Sequence, residues 1–203
     1  MTASPTNRPV AAFDFDGTLA RRDSLLPFLA RLCGPGRVGL ALTRAWVAPP
    51  AADGIERRDR IKAGLLERLL QDRRMDDVEE AGHGYAARLE SRLRPTMVER
   101  LHHHQGDGHE VVLVSASLAV YLRPLAARLG LDGVLAVELD HVDGVLTGQM
   151  QGPNCRGPQK VARLREWEGG RPARPLWAYG DSRGDRELLA HADHPTWVGR
   201  PRT

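Results

Sequence analysis

The chain has 203 residues, 41% of them hydrophobic and 27% charged, a balance that fits one soluble core with room for a small inserted module and excludes a disordered chain. A formal charge of +3 would suit nucleic acid, but the basic residues are scattered and only 5% of the chain is aromatic, which argues against a nucleic-acid partner. Cys33 and Cys155 lie far apart with no paired-ligand spacing, so neither a zinc site nor a disulfide framework is expected, and a reducing cytoplasm is the simplest home.

Residues 1–7 are polar and lack the pattern of a signal peptide, so a loose tail is expected. No apolar run approaches the length of a membrane span, which leaves only superficial membrane contact open. Of 29 basic residues only Lys62 and Lys160 are lysines. In a chain so biased towards arginine, a retained lysine raises the question of whether its compact point charge matters there.

Short apolar runs over 10–15, 110–115, 134–138, 176–180 and 196–198 read as strands, and helical patterns over 96–104, 117–129, 158–167 and 183–190 separate most of them. Such alternation predicts a three-layer, Rossmann-like α/β core: a parallel sheet built by right-handed crossovers, with ligands beyond the carboxyl ends of its strands. Residues 134–150 depart from the rule, because Asp143-Gly144 between two β-prone runs predicts a hairpin.

The stretch 23–94 is too long for a structureless loop and carries no convincing strand. Ser24 is placed to cap a helix with Leu25, Leu26, Leu29 and Leu32 on one face, and Gly34-Pro35-Gly36 would stop it. A second helix is expected over 38–47 before Pro49-Pro50, a third around Ile61, Leu65 and Leu69, and a fourth through Val78, Ala81, Tyr85, Leu89 and Leu93. The expected organisation is a core of 8–22 and 95–200 carrying an all-helical cap over 23–94.

The strand ends carry the chemistry. In "VAAFDFDGTLARRDS" an apolar run ends in two aspartates at alternate positions, so Asp14 and Asp16 point the same way in an extended chain. Asp16-Gly17-Thr18 alone reads as a turn, but Asp14 lies between Phe13 and Phe15, where a charge is costly unless a cation or hydrogen bonds meet it. The strand of "EVVLVSAS" ends in Ser115, whose hydroxyl, like that of Ser117, suits a helix cap; the functional alternative is that Ser115 and the first free N–H groups of that helix meet an anion. Lys160 opens a helix after Gly157-Pro158, where a positive charge opposes the helix dipole unless an anion is near. "YGDSRGDREL" offers Asp181 and Asp185 at a helix start. Four independent helix caps do not require this set of carboxylates, hydroxyl and ammonium in chain order.

As a set, "DFDGTLARRDS", "VVLVSAS", "GPQK" and "YGDSRGDREL" resemble the four motifs of haloacid dehalogenase superfamily phosphatases, and the helical insert resembles the cap of the phosphoserine-phosphatase-like branch. The resemblance covers nearly the whole chain. It implies a Mg²⁺-dependent phosphomonoester hydrolase acting on a small phosphorylated metabolite. Mg²⁺ would be held by the carboxylates of Asp14 and Asp181 and the main-chain carbonyl of Asp16. Asp14 would be the nucleophile and Asp16 the acid and base, while Ser115, Lys160 and backbone N–H groups near Phe15 and Ala116 would bind the phosphoryl oxygens, with Asp185 in support.

Two departures from the phosphoserine-directed pattern stand out. Asp23 replaces a glutamate, with Arg60 as the candidate cap arginine, and Gly184 stands where an asparagine is usual. Leu25, Leu26, Phe28 and Trp46 could line an apolar pocket, although packing within the cap is the default for each, so a lipid phosphate remains an alternative substrate. A phosphotransferase or a non-catalytic phosphate-binding protein is a further alternative. The run "LHHHQGDGH" is expected to be a solvated helix end, because consecutive histidines point around a helix rather than converging. The sequence carries no signal for oligomeric state.

Overall fold

The structure, a computed structural model, describes residues 8–47 and 56–199. The expected tail over 1–7 and the Pro49-Pro50 break lie outside the described residues. In chain order the elements are β1 (Arg8–Phe13), α1 (Leu25–Cys33), α2 (Pro35–Val47), α3 (Arg57–Leu70), α4 (Met75–Glu90), α5 (Pro95–Gly106), β2 (Glu110–Leu118) and α6 (Ala119–Leu129). They continue with β3 (Gly133–Val137), β4 (Leu139–Val142), β5 (Val145–Met150), α7 (Pro158–Glu168), β6 (Ala173–Gly180), α8 (Arg186–His191) and β7 (His194–Trp197).

Among the described residues five strands form one parallel sheet in the order β3-β2-β1-β6-β7. The apolar run Val10 to Phe13 is wholly buried because β1 is the central strand, with Phe13 level with Leu113 on one side and Tyr179 on the other. The chain builds outwards from β1 through β2 to β3, then returns to add β6 and β7 on the opposite side. The right-handed crossover rule applied to this strand order puts α5 and α6 on one face and α7 and α8 on the other, three layers in all. Reversal of strand order beside β1 opens a crevice at its carboxyl end, the place where such sheets bind ligands.

The hairpin β4–β5 turns at Asp143 and Gly144, both with positive φ (51° and 76°), the backbone that a two-residue turn between twisted strands requires. It lies outside the parallel sheet and is stitched to the α3–α4 link. There Asp72 N donates to Leu146 O at 3.0 Å, and Leu146 N returns a bond to Arg73 O at 2.8 Å.

Where the chain leaves and re-enters the core around the helical insert, Ala20 and Leu93 pair, and Arg94 N donates to Leu19 O at 2.8 Å. The insert also packs on α6. Gly82 of α4 approaches the Val120 carbonyl so closely that a β-carbon there would sit 2.2 Å from it. Phe28 of α1 and Tyr85 of α4 close around Tyr121 of α6, with ring centroids 5.0 and 5.5 Å from it.

Three local expectations are corrected. Ser24 does not cap α1 with its side chain; the Asp23 carboxylate does, accepting from Leu26 N at 3.0 Å. Strand β2 runs on to Leu118, so α6 starts at Ala119 rather than at residue 117, after an irregularity in the β2–β3 register between Val114 and Leu118. Helix α2 begins at Pro35, directly after Gly34 ends α1 with φ 87°, because proline is tolerated in a first turn.

Candidate active site

Asp14 is the first residue beyond β1, held by its own N–H to Tyr179 O at 2.9 Å. Its carboxylate is buried, and Lys160 meets it there. The Lys160 ammonium, 1% exposed, donates to Asp14 Oδ1, Asp185 Oδ1 and Val114 O, each at 2.6 Å. All three of its protons are therefore used, which answers the objection to a positive charge in the first turn of α7: carboxylates sit beside it. Burial would lower the Lys160 pKa, but Asp14 and Asp185 hold it above the ordinary lysine value.

Asp185 is fixed from every side. Besides Lys160, its Oδ2 accepts from Asp181 N (3.2 Å), Ser182 N (2.9 Å) and Ser182 Oγ (2.8 Å), while Ser182 Oγ accepts from Gly184 N. This reciprocal capping box satisfies the free N–H groups at the start of the helical turn and aims the other carboxylate oxygen at Lys160. Burial alone would raise the Asp185 pKa, yet Lys160 and these hydrogen bonds bring it below the usual aspartate value. For Asp14 burial prevails over the pull of Lys160, and its pKa rises to about 7.

Asp16 lies two residues on, in a turn made possible by Gly17 at φ 92°. A β-carbon on Gly17 would fall 2.2 Å from Asp181 Oδ2, so glycine also makes room for that carboxylate. Asp16 Oδ2 accepts from Ser117 Oγ at 2.6 Å and Ser24 Oγ at 3.1 Å, and Ser24 Oγ lies 3.1 Å from Tyr121 OH. This hydroxyl cluster went unseen in the sequence because Ser24 and Ser117 both read as helix caps. Burial raises the Asp16 pKa to about 6, against the lowering hydrogen bond from Ser117.

The carboxylates of Asp14, Asp181 and Asp185 each bring an oxygen within 4.8 Å of the others, all three residues being buried. Among the described residues, Asp16 Oδ1 and Thr18 Oγ1 are buried with no hydrogen-bond partner. A dense set of hard oxygen donors with one ammonium among them fits a divalent cation such as Mg²⁺. Since Asp185 already accepts four hydrogen bonds, Asp14 and Asp181 are the better-placed carboxylate ligands.

Asp14, Asp16, Lys160, Asp181 and Asp185 line one cavity of about 1120 Å³ together with Ser115, Ala116 and Ser117. Ser115 is buried, and its Oγ accepts from Ser117 N at 3.1 Å, leaving the hydroxyl proton for another acceptor. Asp23 reaches the cavity wall, but Arg60 is not among the lining residues. One helical turn places Arg58, Asp59 and Lys62 on the cavity side of α3 instead. Lys62 is buried and donates to Ala116 O and to Asn154 Oδ1 (2.8 Å), and burial lowers its pKa to about 8.

Of Leu25, Leu26, Phe28 and Trp46, for which packing within the cap is the default and an apolar pocket wall the alternative, Leu25 alone lines the cavity. Phe28 is buried in the core and Trp46 is turned outwards under the Arg57 guanidinium, 4.0 Å from its ring. Gly184 packs against Arg156, whose side chain would sit 2.8 Å from a β-carbon there.

The histidine run is corrected in one member. His102 and His103 are exposed, but His104 is buried, with Nε2 2.8 Å from Tyr179 OH and Nδ1 2.8 Å from His109 Nδ1. It faces the sheet because α5 packs on β2.

Comparison with known proteins agrees with this geometry. Residues 11–190 match the family model of haloacid dehalogenase-like hydrolases. The chain is 36% identical to Protein CicA of Caulobacter vibrioides over 196 residues, covering 95% of this chain and 87% of that one. It is 32% identical to Phosphoserine phosphatase SerB2 of Mycobacterium tuberculosis, spanning 89% of this chain but 41% of that protein. In fold it is similar to a crystallised protein of unknown function from Bordetella pertussis Tohama I, with a TM-score of 0.76 at 24% identity over 94% of this chain and 89% of that one. A phospho-aspartyl intermediate analogue of phosphoserine phosphatase superposes with a TM-score of 0.62 at 24% identity, covering 92% of this chain and 84% of that one. The chain belongs to the haloacid dehalogenase-like hydrolase family.

Proposed function

We propose that this phosphatase is a Mg²⁺-dependent phosphomonoester hydrolase that works through a phosphorylated Asp14 on a small metabolite. The observation that carries this reading is the junction of Asp14, Lys160 and Asp185 at the end of β1, with Asp181 facing Asp14 and Asp16 two residues away in the same cavity. When bound, Mg²⁺ would be held by Asp14, Asp181 and the Asp16 carbonyl, and would neutralise charge on the phosphoryl oxygens.

Asp14 is the nucleophile because one of its oxygens is fixed by Lys160, leaving the other to attack phosphorus in line with the departing alkoxide. Asp16, with a pKa of about 6, sits where it can give a proton to that alkoxide and take one back from the attacking water. The Ser115 hydroxyl donates to the transferring phosphoryl group, and the Lys160 ammonium offsets that group's negative charge by proximity, its three protons being engaged by Asp14, Asp185 and the Val114 carbonyl. Asp185 holds Lys160 in place.

The substrate class is read as an amino-alcohol phosphate or a comparable small phosphomonoester. The cavity wall is mainly polar and charged, and only Leu25 remains of the apolar wall that a lipid phosphate would call for. Relatives named phosphoserine phosphatase support the same class. Release of inorganic phosphate from a panel of phosphomonoesters, including phosphoserine, histidinol phosphate, sugar phosphates and lysophosphatidate, tests it. Turnover of the small substrates with Mg²⁺ and its loss in EDTA are expected; turnover unchanged by EDTA, or confined to the lipid, contradicts the reading.

A further inference from the structure

Lys62 is the other of the chain's two lysines, and its surroundings differ from those of Lys160. Its buried ammonium has neutral oxygens as hydrogen-bond partners: the Ala116 carbonyl and Asn154 Oδ1. Asn154 in turn donates from Nδ2 to Asp59 Oδ1 at 2.8 Å, one helical turn before Lys62 on α3. Three segments distant in sequence therefore meet: the insert through α3, the loop between β5 and α7 through Asn154, and the end of β2 through Ala116. A second tie closes the same seam, where Arg156 of that loop pairs with Glu56 at the start of α3.

The Ala116 carbonyl belongs to the same planar peptide as the Ser117 N–H. Lys62 holds that plane by its oxygen, and Ser115 Oγ accepts its N–H at 3.1 Å. A rotation of the peptide would break both bonds together. With the plane fixed, Ser115 Oγ is committed as an acceptor on one side, so its proton points elsewhere. Ser117, the next residue, presents its own hydroxyl to Asp16 at 2.6 Å.

We propose that Lys62 is a positioning residue: by clamping the Ala116–Ser117 peptide from the helical insert, it orients the Ser115 hydroxyl towards the phosphoryl group and couples seating of the insert to phosphate binding. This rests on the reading of Ser115 as a phosphoryl ligand. A lysine suits the task because a compact ammonium satisfies two converging oxygens in a buried space, where a planar guanidinium does not fit the same points.

The test separates this role from direct contact with the leaving group. Inorganic phosphate and p-nitrophenyl phosphate carry no charged group beyond the phosphate, so a residue that reads only the leaving group leaves their affinities unchanged. In Lys62→Met the inhibition constant of inorganic phosphate is expected to rise about tenfold, with kcat/KM for p-nitrophenyl phosphate falling by a similar factor. Lys62→Arg is expected not to rescue it.

Asn154→Ala, which keeps the lysine but removes its second acceptor, is expected to change both quantities in the same direction by a smaller factor, and the double variant to be no worse than Lys62→Met. Phosphate inhibition within twofold of wild type in a folded Lys62→Met overturns the proposal, as do independent, multiplying effects of the two substitutions. If Lys62→Met does not fold, wild-type phosphate inhibition in Asn154→Ala overturns it. A wild-type protein that neither turns over p-nitrophenyl phosphate nor binds phosphate points instead to failure of the phosphatase reading itself.

Discussion

Replacing Lys160 by methionine keeps most of the side chain's volume and removes one positive charge from a place that water does not reach. The side chains of Lys160, Asp14 and Asp185 are 1%, 9% and 1% exposed, and both ion-pair distances are 2.6 Å. Breaking a buried pair by deleting one partner costs about 3–5 kcal/mol, since the charge left behind stays desolvated. Here two carboxylates and the Val114 carbonyl lose the same donor, so the upper half of that range is expected. For a chain of this size each kcal/mol lowers Tm by roughly 2–4 °C, giving a fall of about 8–20 °C.

The pH dependence has a definite sign. Without the ammonium, the folded-state pKa values of Asp14 and Asp185 rise, so both groups are protonated more readily in the folded than in the unfolded chain. Protonation relieves the penalty, and the variant therefore recovers as pH falls. In the wild type Asp14, with its pKa raised to about 7, also gains stability as pH falls past that value, but by less than in the variant, where its pKa is higher still; the lowered pKa of Asp185 stabilises the fold across the whole range above the ordinary aspartate value and that contribution fades only below it. The two stability curves converge towards low pH. Urea unfolding of both proteins in EDTA, at pH 8 and pH 5.5, measures this. A difference below about 1 kcal/mol that does not change with pH would refute the reasoning, because it would mean that the carboxylates never depended on Lys160.

Gly17→Ala is expected to abolish Mg²⁺-dependent turnover and to lower stability, because its β-carbon would lie 2.2 Å from Asp181 Oδ2 at a φ of 92°; wild-type turnover in that variant contradicts the placement of Asp181. His104 has its pKa lowered to about 4 by burial, below the unfolded value of 6.5, so the unfolded chain takes up the proton first and stability falls as pH drops from 6.5 towards 4. His104→Phe is expected to flatten that slope in urea unfolding followed across this range, whereas an unchanged slope places the titrating group elsewhere.

Much of the fold is legible in the sequence because a central parallel strand is buried on both faces and reads as an unbroken apolar run. The runs ending at Asp14, Ser115 and Asp181 locate the carboxyl edge of the sheet before any coordinates. The hairpin is equally plain, since Asp143-Gly144 supplies the positive φ that its turn needs. What escapes is contact across distance.

Ser24 and Ser117 are both typed by their local sequence as caps, yet they spend their hydroxyls on Asp16, eight and 101 residues away. Arg60 and Lys62 sit two positions apart on one helix, and only the rotation of α3 against the core decides which lines the cavity. His104 looks solvated among its exposed neighbours until Tyr179, from a strand 75 residues on, is placed beside it.

The most direct test of the account is the identity of the phosphorylated atom. Acid quenching of the protein during turnover of a ³²P-labelled phosphomonoester with Mg²⁺, followed by proteolysis, is expected to leave an alkali-labile phosphoryl group on the peptide containing Asp14. Asp14→Asn is expected to be folded, unlabelled and inactive. Label on any other residue, or normal turnover by Asp14→Asn, would contradict the covalent mechanism.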